Sequence, residues 1–195
     1  MPEPAATQAA DKLSSPALSL ESLRGDGSIR TRRIAVLVAD GVDVAQVTSV
    51  REALTAEGAI VEALAPTDGT VSGADGDRLV VDRALPTMAS VLYDAVLVPG
   101  GPADAPDAAA DPDAMRFVRD SYRHGKPVGA LGSGVGVLSA LKPEGVRLSA
   151  GFHRTVTDQG VVTDTSPGPA TRDFLQAFRT ALQAHRHWGR PPVHG

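Results

Sequence analysis

The 195-residue sequence contains no cysteine. This absence excludes disulfides, thiolate zinc sites, iron–sulfur clusters and every mechanism that uses a cysteine nucleophile. Aromatic residues make up only 4% of the chain, so its core has to be built from Val, Leu and Ala. The sequence also lacks the apolar run of about 18–20 residues that a membrane helix needs, and it shows no secretory signal. We therefore expect a soluble protein of the cytoplasm that does not contact a membrane.

An excess of basic residues is also lacking, because 19 Lys and Arg stand against 23 Asp and Glu, which gives a net charge of −4. Nucleic-acid-binding domains carry clustered Lys and Arg that neutralise phosphates. We therefore expect no nucleic-acid partner. The length is that of one ordinary domain with some additional sequence.

Composition divides the chain into three segments. Residues 1–32 are rich in Pro, Ala, Ser and acidic residues and show neither helical nor strand periodicity, which predicts a flexible linker or tail. An α/β domain is predicted over residues 33–190. Residues 191–195 begin with two prolines, which end the last helix, and are predicted to form a C-terminal tail.

Short apolar runs alternate with amphipathic segments inside the predicted domain. Strands are predicted at residues 34–38, 59–65, 79–81, 95–98, 127–131 and 160–163, and residues 66–77 are predicted to form a loop. Helices are predicted over residues 43–58, 111–125 and 170–187, with a short one that ends at Leu141. Asp43 provides an N-cap with Gln46 at capping-box spacing. This alternation implies a three-layer α/β sandwich with a mostly parallel sheet, similar to the flavodoxin-like arrangement.

Glycine-rich segments follow two of the predicted strands, and ligand sites in parallel sheets lie at these strand ends. The backbone N–H groups of the glycine-rich segments are candidates to bind an anion or a nucleotide. The dinucleotide fingerprint is incomplete, because Val137 stands where a third glycine is required. The candidate ligand-binding residues are Gly100, Gly101, Gly132, Ser133 and Gly134.

Ser133 lies between a strand and a helix, where hydrolases place a nucleophile. The hydrolase pattern requires glycines two positions before and after the serine, but Leu131 and Val135 stand there. We therefore interpret the Ser133 hydroxyl as a helix cap. His185 and His187 lie two residues apart on a predicted helix and point in different directions, so no metal site is predicted.

The strand-end motifs, taken in their order and spacing, resemble the PfpI protease superfamily, which shares the class I glutamine-amidotransferase-like fold. These motifs are residues 34–43, 98–101 and 129–134. More narrowly, the sequence is similar to the C-terminal domain of large-subunit haem catalases in residues 15–19, 30–32, 39–43 and 184–188. The resemblance covers residues 15–190.

The resemblance implies that the catalytic position of the superfamily has lost its reactive groups. Active members use an elbow cysteine after the strand equivalent to residues 127–131 and a carboxylate from the start of the first helix. In this chain the elbow position falls on Gly132 and the carboxylate position on Gln46, while a histidine partner corresponds to His153. Without a thiolate the chemistry of the superfamily cannot proceed, so the domain is expected to be catalytically silent. Ser133 and His153 remain the candidates for residual catalysis.

The catalase resemblance implies a haem core elsewhere in the parent protein, which disproportionates hydrogen peroxide. We expect no cofactor in this chain, because Tyr93 and Tyr122 are explained by packing. The expected partners are the catalase core in cis, unfolded client proteins of a chaperone-like activity, and further copies in a homo-oligomer. Two alternatives stay open: an autonomous hydrolase, deglycase or glyoxalase that uses Ser133 or His153, and a module that binds an anion or a nucleotide.

Overall fold

The computed structural model describes residues 27–101, 111–151 and 154–193. Its elements follow the chain as β1 (Arg33–Leu37), α1 (Val44–Ala56), β2 (Ile60–Ala65), β3 (Gly69–Ser72), β4 (Arg78–Val81), β5 (Arg83–Ala84), β6 (Ala95–Val98), α2 (Pro112–Arg123), β7 (Val128–Leu131), α3 (Val135–Leu141), β8 (Thr155–Asp158), β9 (Val161–Asp164) and α4 (Arg172–Ala184). Within these ranges no helix combines the length and apolarity needed to cross a bilayer.

Seven strands form one sheet in the order β5-β2-β1-β6-β7-β9-β8. All neighbours in this sheet are parallel except β8, which pairs antiparallel with β9. In the centre, Val36 of β1 lies between Ala63 of β2 and Leu97 of β6. The predicted parallel sheet is therefore confirmed.

Each face of the sheet packs against a pair of helices. Side chains of β1 alternate between the faces, so that Ile34 and Val36 join one core cluster and Ala35 and Leu37 join the other. The first cluster contains the buried faces of α1 and α4, and the second contains those of α2 and α3. These two apolar layers confirm the predicted three-layer sandwich.

Local capping signals set the limits of the helices. The Asp43 carboxylate accepts a hydrogen bond from the Gln46 N–H at 3.1 Å and so begins α1 as predicted. Asp111 accepts from the Asp113 N–H at 2.9 Å, and Pro112 opens α2. The predicted end of α4 at His187 is wrong, because His185 adopts a φ of +64° and ends the helix after Ala184. His185 and His187 therefore do not lie on a helix.

Three strands were absent from the sequence prediction, and the shortest of them is β5, whose two residues pair in parallel with the end of β2. The predicted loop at residues 66–77 contains β3, which pairs antiparallel with β4 and places Val71 opposite Leu79. Strand β8 forms a hairpin with β9 across Gln159 and Gly160, which both have positive φ. All three strands are short and rich in polar residues, so only their pairing partners reveal them.

The packed core extends beyond the predicted domain limits of 33 and 190. Ile29 and Val193 are both buried, and each belongs to one of the two core clusters. The predicted linker at residues 1–32 and tail at 191–195 lie mostly outside the described residues. Their division from the domain remains a prediction, although Ile29 and Val193 pack with the domain.

Candidate functional site at the carboxyl ends of the strands

Three segments meet where β6 and β7 end: the turn after β6, the elbow after β7 and the first turn of α1. The Gln46 side-chain oxygen accepts a hydrogen bond from the Gly100 N–H at 2.8 Å. A Cβ placed on Gly132 would lie 3.2 Å from Gln46 Nε2. The structure therefore brings together Gly132 and Gln46, the two positions that the resemblance singled out.

The elbow keeps a backbone shape that glycine favours. Gly132 has a φ of +52°, and one 3₁₀ turn, Gly132–Gly134, leads directly into α3. Gly134 packs so closely on the end of β6 that a Cβ there would lie 2.5 Å from the Val98 carbonyl oxygen. The turn therefore presents main chain where a nucleophile would stand in an active relative.

Gln46 acts as a buried cross-link. Its side chain is only 3% exposed and holds the turn after β6 through the Gly100 N–H. An amide neither gains nor loses a proton near neutral pH, so Gln46 cannot serve as a general acid or base. The position to which the resemblance assigns a carboxylate in active members therefore holds a residue that makes a structural contact and does not titrate.

The exposed Ser133 hydroxyl also joins two segments of backbone. Its Oγ donates to the Gly101 carbonyl oxygen and accepts from the Gly101 N–H, both at 2.9 Å. The predicted helix cap is wrong, because Gly134 is the N-cap residue of α3 and no side chain caps this helix. Within the described ranges, both hydrogen bonds of the hydroxyl go to main-chain groups of Gly101. This geometry does not supply the general base that a serine nucleophile needs.

Two of the predicted anion donors already have partners. The Gly100 N–H donates to Gln46, and the Gly101 N–H donates to Ser133. An anion at this turn would have to displace both contacts. Binding of an anion or nucleotide at Gly100, Gly101, Gly132, Ser133 and Gly134 remains a prediction, which these contacts disfavour.

The described histidines His185 and His187 do not lie at this edge. His153 lies outside the described residues. His185 contacts Asp94 at 3.1 Å, and Asp94 precedes β6 at the opposite edge of the sheet. No group of three or more His, Asp or Glu side chains in the described part of the chain is placed to hold a metal ion.

Asp164 is a buried carboxylate beside the elbow that the sequence analysis missed. It ends β9 and pairs in register with Leu131, the residue before Gly132. Its oxygens accept from the Thr155 hydroxyl at 2.6 Å, the Thr171 hydroxyl at 2.7 Å and the Ser166 N–H at 2.8 Å. The two-residue spacing from Asp164 to Ser166 is a local sign of an Asx-turn, but nothing in the sequence indicates the two threonines.

Hydrogen bonding keeps Asp164 charged despite its burial. Burial alone would raise the pKa of this carboxyl, but the hydrogen bonds from Ser166, Thr155 and Thr171 outweigh it and hold the pKa below its usual range. Thr171 is also the N-cap of α4 and accepts from the Phe174 N–H. Asp164 therefore connects β8, β9 and α4, because the three hydrogen bonds that it accepts come from Thr155, Ser166 and Thr171.

Comparison with known sequences gives the family. Residues 30–192 match the model of a C-terminal domain found in long catalases. Catalase HPII of Mycobacterium avium is 42% identical over 193 residues, which cover 97% of this chain and 27% of that protein. Catalase HPII of Pseudomonas aeruginosa is 35% identical over 176 residues, which cover 90% of this chain and 22% of that protein. The chain thus spans about a quarter of the length of these curated relatives.

Comparison with solved structures confirms the fold. A ThiJ/PfpI domain protein from Brachyspira murdochii superposes with a TM-score of 0.68 at 18% identity, covering 80% of this chain and 98% of that one. A two-domain protein from Anabaena variabilis, with DJ-1/ThiJ/PfpI-like and ferritin-like domains, gives a TM-score of 0.66 at 22% identity, covering 79% of this chain and 48% of that one. At these identities the likeness shows the fold alone. The sequence matches show the family: the chain belongs to the C-terminal domains found in long catalases.

Proposed function

We propose that this chain is a catalytically silent domain that acts in cis in a long catalase and supports the stability and assembly of that enzyme. Disproportionation of hydrogen peroxide then belongs to the haem core, which precedes this domain in the polypeptide. The relatives support this division of labour, because each is a catalase and this chain matches only about a quarter of its length.

The observation that carries the proposal is the composition of the elbow. Gly132 offers no side chain at the position of the nucleophile, and the neighbouring Gln46 is a buried amide fixed to Gly100. The only hydroxyl of the elbow, that of Ser133, is held by the main chain of Gly101. In the described part of the chain, the elbow thus has no side chain placed to act as a nucleophile with a general base, which supports catalytic silence.

The tyrosines of this chain do not fit a haem-ligand role, which requires an accessible phenolate. Burial, and after it the nearby charge of Glu62, raises the pKa of Tyr93 to about 12. The Tyr93 ring packs against Phe117, and the Arg33 guanidinium lies over it. Tyr122 is buried, and its hydroxyl donates to the Pro191 carbonyl oxygen at 3.1 Å. Both residues belong to the packed core.

Truncation tests the proposal. A long catalase that ends with this domain is compared with the same protein from which residue 27 of this sequence and everything after it have been removed. We expect the truncated enzyme to lose its oligomeric state and its activity at a lower temperature, with peroxide turnover per haem unchanged while it stays assembled. Size-exclusion chromatography and thermal inactivation measure both effects. Equal stability of the two proteins would contradict the proposal.

A second assay addresses the enzyme alternative. The isolated 195-residue chain is expected to leave methylglyoxal and peptide esters unchanged, because Ser133 has no base among its described contacts. Turnover that disappears in Ser133→Ala or His153→Ala would show an active site and overturn catalytic silence.

A chaperone-like activity is the second candidate function. Four exposed large apolar side chains lie at one edge of the sheet, namely Ile60, Val91, Leu92 and Trp188, and such a surface favours binding of unfolded chains. Light scattering of a heat-stressed client with and without the isolated domain tests this activity. Unchanged aggregation would exclude it. The cytoplasmic location and a homo-oligomeric state remain predictions.

A further inference from the structure

Exposed apolar side chains are unevenly distributed over the described surface. Val91 is 76% exposed and Trp188 is 73% exposed, and Ile60 and Leu92 are about half exposed. All four lie where the parallel strands begin, at the edge opposite Gly132, and we call them the entry edge. The remaining exposed large apolar residue, Val80, lies on the β3–β4 hairpin and is 63% exposed.

Sheet topology explains why these residues share an edge. Ile60 is the first residue of β2, and Leu92 lies three residues before β6. Trp188 follows His187, whose N–H donates to the Gly125 carbonyl oxygen at 2.7 Å, just before β7. Neighbouring parallel strands begin at the same end of a sheet, so these residues fall on one side of the molecule.

Hydrogen bonds connect the parts of the entry edge into one surface. The ammonium of Lys126, two residues before β7, donates to the Ser90 and Tyr93 carbonyl oxygens at 2.6 and 2.7 Å. Lys126 is buried, and burial and the nearby Arg186 lower its pKa. Asp94 accepts from the Arg33 N–H at 2.9 Å. These contacts fix the segment with Val91 and Leu92 to the starts of β1 and β7.

Two cavities lie on either side of the C-terminal end of α2, next to the apolar residues. One has a volume of about 390 Å³ and is lined by Val91, Phe117 and His124 among others. The other has a volume of about 240 Å³ and is lined by Trp188, Arg123 and Arg190 among others. The larger cavity is also lined by Asp113 and Asp120, whereas the charged side chains that line the smaller one are arginines. The edge therefore combines protruding apolar side chains with concave spaces, as protein interfaces do.

The polypeptide enters the domain at this same edge. Ile29 is buried in the core, and the Thr31 N–H donates to the Gly58 carbonyl oxygen at 2.9 Å. The Ile60 N–H donates to the Arg32 carbonyl oxygen at 2.8 Å. Relatives of this C-terminal domain are about four times longer than the matched region. The remainder of such a protein is therefore tethered beside the entry edge.

We propose that the entry edge is the surface on which the preceding catalase core of the same polypeptide docks. Apolar side chains of the core occupy the two cavities and cover Val91, Leu92 and Trp188, while carboxylates of the core face Arg123 and Arg190. A tether raises the effective concentration of the two surfaces, so that a modest apolar patch suffices for docking. This inference rests on the proposed function in cis.

The test uses a long catalase that ends with this domain, in three forms: unchanged, Val91→Ser with Trp188→Ser, and Val80→Ser. Val80 is the matched control, because it is exposed to a similar extent but lies on the hairpin. We expect limited proteolysis to release the domain about tenfold faster from the double variant, because loss of docking exposes the connection. Val80→Ser is expected to match the unchanged protein. The melting temperature of each isolated domain shows that the fold is kept.

The outcomes separate this inference from the proposed function. Equal release from all three proteins, or equal acceleration by Val80→Ser, overturns docking at the entry edge. A third outcome is that the isolated domain dimerises and that Val91→Ser with Trp188→Ser abolishes the dimer. That result would assign the entry edge to a second copy of this domain and would also overturn docking of the core. If docking fails but truncation still lowers the stability of the catalase, the proposed function stands without this surface.

Discussion

At the scale of single residues, the side-chain amide of Gln46 joins two segments of the chain. Gln46 is placed to make the same hydrogen bond to the Gly100 N–H that a carboxylate would make, but it does not titrate. The position is thereby retained as a cross-link between α1 and the turn after β6. Its contribution is to folding, and it is measurable as a free energy of unfolding.

Gln46→Ala is expected to lower the free energy of unfolding by about 1–3 kcal/mol, because it leaves the Gly100 N–H without its acceptor. Chemical denaturation of the isolated chain measures the change. Gln176→Ala is the control, since Gln176 is exposed on α4 and its removal is expected to change stability by less than about 0.5 kcal/mol. Similar losses in both variants would contradict a specific role for Gln46.

Asp164 gives a prediction that depends on pH. Its folded-state pKa lies below the usual range, so its stabilising contribution is present above the unfolded-state pKa and is lost as pH falls through the folded-state pKa. Asp164→Asn is expected to lower stability at pH 7 by about 1–3 kcal/mol, because bonds to a charged acceptor are the stronger ones. As pH falls below about 4, the Asp164→Asn variant should lose less free energy of unfolding than the unchanged chain does.

Unfolding free energies of the Asp164→Asn and unchanged chains between pH 3 and pH 7 provide the measurement. Asp173→Asn is a suitable control, since Asp173 is an exposed acidic residue in the first turn of α4. If the two substitutions alter the pH profile equally, the hydrogen-bonded cluster does not explain it.

At the scale of elements, the ends of β6 and β7 are held together by close backbone contact. Gly134 lies against the Val98 and Pro99 carbonyl oxygens, with no space for a side chain. Gly136, two residues later in α3, has open space around it. Close packing therefore requires glycine at position 134, whereas position 136 has space for a side chain.

Gly134→Ala is expected to lower stability by about 1–3 kcal/mol, because the added methyl overlaps the main chain of β6. Gly136→Ala is expected to raise it by about 0.5–1 kcal/mol, since alanine favours the helix and meets no neighbour. Thermal unfolding of both variants provides the measurement. The same sign of change in both would disprove the close-contact explanation.

Elements with local signals were predictable from the sequence. The Asp43 cap, the Asp111-Pro112 start of α2 and the apolar β1 each depend on neighbouring residues alone. Strands β3 and β8 depend on pairing with other strands, which their own residues do not indicate. His185 ends α4 with a positive φ, which a histidine in the sequence does not predict. The Gly132–Gln46 contact followed from the family resemblance, whereas the Asp164 cluster required the fold.

At the scale of the whole molecule, the two edges of the sheet differ in kind. The carboxyl edge is closed by internal hydrogen bonds, which the side chains of Gln46 and Ser133 accept from backbone N–H groups of the turn after β6. The opposite edge carries exposed apolar side chains, a buried lysine and the entering chain. The proposed docking therefore uses the edge opposite Gly132, where the exposed apolar side chains lie.

The histidines of the entry-edge side make the domain sensitive to acid. Burial, with the charges of Arg186 and Arg32, lowers the pKa of His185 against the opposing effect of Asp94. Burial, with the charge of Arg190, lowers the pKa of His187 against its hydrogen bond to the Ala181 carbonyl oxygen. Both histidines therefore bind protons more readily when the chain unfolds, and stability falls as pH decreases below about 6.5.

Melting temperatures of the isolated chain between pH 7.5 and pH 5 test this expectation. The unchanged chain should melt at progressively lower temperatures as pH falls, and His185→Gln with His187→Gln should reduce that slope. His124→Gln serves as the control, because His124 is placed at the end of α2 outside the His185 and His187 contacts. An unaltered slope in the double variant would locate the acid sensitivity elsewhere. A reduced slope would show that neutral His185 and His187 side chains stabilise the segment after α4, which contains Trp188. As pH falls, protonation would then destabilise this segment at a higher pH than it destabilises the Asp164 cluster at the other edge.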